Sequence, residues 1–186
     1  MSTKRKERAN KGAVVLLVLL CVGIPCLIRA QNKKKRVSDD EAEIRAVEKR
    51  FIAAFNAGDI DAMMKSYVPD KSFVIFDVVP RKEYRGADTY RKDWEEFFSH
   101  FKGTPKITIS NLGITADDQI GFSHSIQRIR GTDIEGHPVD RTVRVTDGYR
   151  KVGGKWLIAL EHVSVPVDLR TGKAETGPSQ RGDLRK

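Results

Sequence analysis

Apolar residues recur at helical spacing through Ile44, Val47, Phe51, Ile52, Ala54 and Phe55, and Asn56-Ala57-Gly58 ends the run. Ahead of it, Ser38-Asp39-Asp40-Glu41 has the form of a capping box, with acidic groups in the first turn where the helix dipole favours them. Asp59 is placed to cap a shorter second helix that ends by Pro69-Asp70. Residues 72–79 are β-branched and aromatic and predict a strand, and 80–86 predict a turn into a short return strand. A third helix is expected from 87 or 88 through Trp94, Phe97, Phe98 and Phe101, broken at Gly103-Thr104-Pro105. The remainder reads as four long strands, 107–115, 120–130, 139–152 and 155–165, punctuated by Asp117-Asp118, Glu135-Gly136-His137-Pro138 and Gly153-Gly154. This order predicts an α+β domain over residues 38–167, its helices packed on one face of a strongly curved, mostly antiparallel sheet. Residues 168–186 carry almost no apolar side chains and are expected to form a disordered tail.

The N-terminus has a different character. A basic cluster from Lys4 to Lys11 precedes an uncharged apolar run over residues 12–28, and Lys33-Lys34-Lys35-Arg36 lies in a basic linker at 31–37. Residues 1–30 therefore read in either of two ways. Cleavage after Ala30 would export the rest of the chain to the periplasm or beyond. Retention would leave a membrane anchor through residues 12–28, at the short limit for a spanning helix. Both cysteines, Cys21 and Cys26, fall inside this run, so the domain has no thiol for a disulfide, a nucleophile or a zinc site.

The net charge of +9 changes meaning once it is located. Residues 1–37 hold ten Lys/Arg against one acidic residue, whereas 38–166 hold 19 Lys/Arg against 21 Asp/Glu. A nearly neutral domain does not present the basic face that nucleic acid requires.

Chemistry is expected where polar residues share the register of apolar ones on a strand, because alternate side chains face the same way. Asp77 continues Phe73 and Ile75; His124 lies between Phe122 and Ile126; Asp147 follows Val143 and Val145; His162 follows Trp156, Ile158 and Leu160. A buried carboxyl group has a raised pKa and can act as acid or base near neutrality, and a neutral imidazole can polarise a substrate oxygen. Asp77, His124 and His162 are the candidate catalytic groups on this reading. They also have the composition of a two-histidine, one-carboxylate metal set, but lack local spacing, and no cofactor is implied. Tyr67, Tyr84, Trp94, Asp147 and Trp156 are candidates for the pocket wall, and Arg144 is either part of a solvated face or an anion ligand.

Three segments carry a resemblance: Phe51-Ile-Ala-Ala-Phe-Asn-Ala-Gly-Asp59; Phe76-Asp77-Val-Val-Pro80 with Tyr84-Arg-Gly86-Ala-Asp88; and Thr146-Asp-Gly-Tyr-Arg-Lys-Val-Gly-Gly-Lys-Trp156 with Glu-His162-Val-Ser-Val-Pro166. Over about residues 38–168 the chain resembles SnoaL-like members of the nuclear transport factor 2-like superfamily, which includes ketosteroid isomerase. The resemblance implies a cone-shaped α+β barrel with a pocket at its open end and frequent homodimerisation through the sheet. It also places Asp77 near the isomerase's strand-borne general base, while the oxyanion hole of that enzyme has no secure match. The expectation is a domain that binds a small, largely apolar molecule, with isomerase- or lyase-type acid–base chemistry. The alternative is a non-catalytic binding or dimeric assembly module.

Overall fold

The computed structural model describes residues 37, 39–79, 81 and 83–177; the apolar run, residues 31–36 of the basic linker and Ser38 lie outside the described residues. Among the described residues no helix is long and apolar enough to cross a membrane. The main compact unit starts at Asp40.

Helix α1 (40–57) buries the stripe Ile44, Val47, Phe51, Ala54 and Phe55, as its periodicity predicts. Helix α2 (Ile60–Met64) starts at the expected cap, where Ala62 N donates to Asp59 Oδ1 at 2.8 Å. Strands β1 (Val74–Phe76) and β2 (Tyr84–Arg85) form the short pair. Gly86, with φ of 84°, then turns the chain into helix α3 (Ala87–Ser99), a conformation that favours glycine. The four long strands follow as β3 (Lys106–Ala116), β4 (Ile120–Thr132), β5 (Pro138–Val152) and β6 (Lys155–Ser164). At the β5–β6 turn Gly153 and Gly154 both have positive φ, as a tight two-residue hairpin requires.

These strands make one sheet in the order β2-β1-β6-β5-β4-β3, antiparallel except for the β1–β6 pair. The architecture is the expected mixed α+β arrangement of a large curved sheet with helices on its inner face, and the sheet stays open rather than closing into a barrel. An aromatic cluster joins the layers. Phe51, Phe55, Tyr67, Phe73, Tyr90, Trp94, Phe97 and Phe98 meet largely in tilted and edge-on pairs with centroids 4.7–6.4 Å apart. That geometry suits aromatic quadrupoles.

Two features depart from the sequence reading. Residues 168–174, expected within a disordered tail, belong to a small hairpin of β7 (Val167–Asp168) and β8 (Lys173–Ala174). Hydrogen bonds rather than apolar burial hold this segment: Gly172 N donates to Asp168 O at 2.7 Å, and Thr142 N on β5 donates to Thr176 O at 2.8 Å.

The second departure is a bulge in β6. Gly148 pairs with Leu160, but Tyr149 pairs with Ile158, so Ala159 is an extra residue with no opposite number. It lies where β6 changes neighbours. Before it, Ile158 accepts from Val68 N and donates to Ser66 O; after it, Leu160 to His162 lie beside β1. Trp156 and Ile158 face inward ahead of the bulge, and Glu161 faces inward beyond it.

Candidate functional site

That one-residue shift determines the site. Beyond Ala159 it points Glu161 into the core and His162 outward, the reverse of strict alternation from Trp156. A single row of paired residues then crosses all six strands on the inner face: Ile114, Ser123, Asp147, Glu161, Ile75 and Tyr84. Its centre is polar and buried, with Asp147 3% exposed and Glu161 5% exposed.

Each carboxylate has a built setting. Tyr67 donates its hydroxyl to Glu161 Oε2 at 2.9 Å, and Tyr90 of α3 donates to Oε1. Asp147 faces Glu48, which α1 carries in the middle of its apolar stripe, and Ser123. Tyr149 donates to Glu48 Oε1 and lies 3.0 Å from Ser123 Oγ. Three carboxyl groups thus share one interior with three tyrosines and a serine.

Burial dominates the electrostatics. It pushes the Glu161 carboxyl up to about 7, opposed by the hydrogen bonds from Tyr90 and Tyr67 and reinforced by the nearby charge of Asp77. Asp147 is held well above the carboxylate range by burial and then by the charges of Glu161 and Glu48. Glu48 is also raised, chiefly by burial. Like charges in so small a volume do not ionise together, so the cluster retains protons at neutral pH.

A cavity of about 420 Å³ opens over this cluster between α3 and the sheet, within the size range of small-molecule sites. Phe51, Tyr84, Tyr90, Trp94 and Phe97 give it an aromatic wall, and Ile107, Ile129, Val143, Val145 and Val163 an aliphatic one. Glu161 and Asp77 are its carboxyl groups nearest the sheet, with Asp93 and Glu96 on α3. Asp77 is half-buried, accepts a hydrogen bond from Val78 N, and is raised by burial and by the charge of Asp93.

The proposed site residues therefore divide. Asp77, Tyr84 and Trp94 line the cavity, and Tyr67 supports it through Glu161. Asp147 lies inward beneath it. Trp156 is buried elsewhere, donating from Nε1 to Asp40 Oδ1 at 3.1 Å.

His124 and His162 are corrections to the inward placement. Gly113, His124, Thr146, His162 and Phe76 form a row on the outer face, where both imidazoles are exposed. His162 meets Phe76 edge-on at 5.7 Å between ring centroids, and His124 lies over Gly113. His124 faces outward because Ser123, Ser125 and Gln127, not Phe122 and Ile126, supply the inner side of β4. Arg144 is likewise exposed on β5. Asp77 and the two histidines are not brought together, so the two-histidine, one-carboxylate set is not assembled. Among the described residues, Asp133, Glu135 and His137 have potential metal-ligand atoms within 4.8 Å of one another, at the β4–β5 turn and apart from the cavity.

Glu48, Tyr90, Tyr149 and Glu161 are members of the site that the sequence reading did not select. Two of them had a signal. Glu48 occupies an apolar-stripe position of α1, and Tyr90 continues the Trp94 and Phe97 face of α3 one turn back. Glu161 required the bulge.

The sequence profile of the SnoaL-like domain matches residues 44–168. The chain belongs to the SnoaL-like family. An NTF2-like protein of unknown function from Pseudomonas putida is 27% identical, with 76% of this chain and 97% of that one covered and a TM-score of 0.68. A nuclear transport factor 2-like superfamily protein from Salmonella enterica is 14% identical, covering 74% of this chain and 99% of that one at a TM-score of 0.65. A ketosteroid isomerase-like protein from Erwinia carotovora is 21% identical, covering 67% and 95% at a TM-score of 0.58. The last two likenesses establish fold only. No curated protein matched the chain.

Proposed function

We propose that the SnoaL-like domain binds a small, largely apolar molecule in the cavity between α3 and the sheet, and that Glu161 exchanges a proton with it. The observation that carries this reading is Glu161 itself: a buried carboxyl group, fixed by two tyrosine hydroxyls, on the wall of a cavity with aromatic and aliphatic sides. A general acid or base works best when its pKa lies near the working pH, and burial raises Glu161 to about 7. Asp77, just past the end of the neighbouring strand β1, lines the same cavity and is the second acid–base group. Proton transfer next to a carbonyl, in an isomerase- or lyase-type reaction, uses such a pair.

Solvent deuterium incorporation tests this. A panel of apolar ketones and enones is incubated with the protein in D₂O and followed by NMR. Protein-dependent exchange at the carbon next to the carbonyl, abolished in folded Glu161→Gln and retained in His162→Ala, supports the reading. Exchange that survives Glu161→Gln contradicts it.

A second reading rests on the outer face, where Phe76, Phe122 and Leu160 are exposed beside His124 and His162. Exposed apolar side chains on one sheet face favour a homodimer formed there. The basic residues and apolar run at the N-terminus favour delivery across a membrane or anchoring in one. Native mass spectrometry of the protein from its source reads both. A dimer lacking residues 1–30 fits export and assembly, a full-length chain contradicts cleaved export in favour of the anchor, and a monomer contradicts assembly.

A further inference from the structure

We infer that the molecule this cavity takes carries a basic amine on its apolar body and is bound as the ammonium cation. The inference rests on the cavity being the ligand site and adds the chemical class of the ligand. Its carboxyl groups outnumber its basic groups: Asp77, Asp93, Glu96 and Glu161 against Arg81 and His100.

The acids come from three elements, so their convergence is a property of the folded cavity and not of one acidic run. Asp93 and Glu96 stand one turn apart on α3, Asp77 follows β1, and Glu161 lies on β6. Between them are the rings of Tyr84, Tyr90 and Trp94, whose faces attract cations. The mouth already holds one such contact, with the Arg81 guanidinium 5.5 Å from the Tyr84 ring centroid. A carboxylate ligand would enter against four like-charged or acidic groups, and a neutral one would leave the field of the acids unused. An ammonium group satisfies both features at once. Its apolar body would occupy the aliphatic side formed by Val143 and Val145.

Binding a cation beside Glu161 favours the ionised carboxylate and expels its proton, so association is coupled to proton release. A neutral ligand of the same shape does not produce that coupling through charge.

The test is calorimetric titration of the full folded chain with three matched probes, naphthylethylamine, naphthylethanol and naphthylacetate, in buffers of differing ionisation enthalpy. The amine is expected to bind about tenfold or more tightly than the alcohol, with the acid weakest and a proton released only with the amine. Glu161→Gln should reduce the preference for amine over alcohol by about threefold or more. Should Glu161→Gln fail to fold, Asp93→Asn at the cavity mouth gives the same direction of change. An alcohol that binds as tightly as the amine overturns the ammonium assignment and leaves the cavity as the ligand site. Absence of binding by all three overturns both.

Discussion

Asp147 and Glu161 stand directly opposite each other on β5 and β6, both facing the interior, where two ionised carboxylates would repel strongly. The structure separates their roles by hydrogen bonding. Glu161 has two tyrosine donors that favour its charged form, whereas Asp147 borders Glu48 and is held well above the ordinary range, first by burial and then by the neighbouring charges. Burial and the neighbouring charges thus favour the protonated form of Asp147. Asp147→Asn should change unfolding free energy by less than about 1 kcal/mol, while Asp147→Ala, which leaves polar partners unsatisfied, should cost about 1–3 kcal/mol. Urea unfolding at neutral pH measures both.

The raised pKa of Glu161 has a definite consequence for stability. Between the ordinary glutamate value of 4.5 and about 7, the folded protein holds a proton that the unfolded chain has released. Native stability contributed by this group is therefore full below that window, falls as pH rises through it, and is constant above. Glu161→Gln removes the titration. The Tm of the variant minus that of the wild type should increase from about pH 5 to about pH 8. A difference independent of pH would show that Glu161 titrates normally.

His124 and His162 belong to the outer row of the sheet and not to the cavity. His124→Ala and His162→Ala should leave probe affinity and any deuterium exchange within about twofold of wild type, since neither ring lines the cavity. Titration of each variant with the same amine checks this. A tenfold loss in either would place an imidazole in the site.

The seat of α1 on the sheet depends on a glycine. A Cβ at Gly121 would fall 2.6 Å from Ile44 Cδ1 and 3.2 Å from Thr115 O. Gly121→Ala should destabilise the fold by about 1–3 kcal/mol through overpacking. Gly153, where a Cβ meets nothing within 4 Å, has φ of 56° and makes a useful contrast: Gly153→Asn should be tolerated, because asparagine adopts positive φ. Thermal denaturation distinguishes the two positions.

Most of the fold was legible because local signals agreed with the global arrangement. The α1 stripe, the Asp59 cap and the Gly153-Gly154 turn each fixed an element without help from distant residues. Asp77 and Asp147 were also legible as inward acids from their register with apolar neighbours. The histidines were not, for two different reasons. In β4 both sets of alternating residues have plausible inner faces, since Phe122 and Ile126 are apolar yet Ser123, Ser125 and Gln127 are the buried ones. In β6 the parity changes at Ala159, where the strand exchanges residues 66–68 for β1 as its neighbour. A bulge imposed by a remote partner leaves no mark in the composition of the strand that carries it. The tail hairpin was missed because its stabilising contacts are hydrogen bonds of the backbone and of the Asp168 and Thr171 side chains, to which hydrophobic patterning is blind.

The central claim is that Glu161 is a proton-exchanging group poised near neutrality by its burial and its two tyrosines. Its side-chain carboxyl carbon, followed by NMR as a function of pH in the unliganded protein, tests this most directly. A midpoint near 7, moving higher in Tyr90→Phe as a hydrogen bond to the charged form is lost, is the predicted result. A midpoint in the ordinary glutamate range, or one indifferent to Tyr90→Phe, would contradict it.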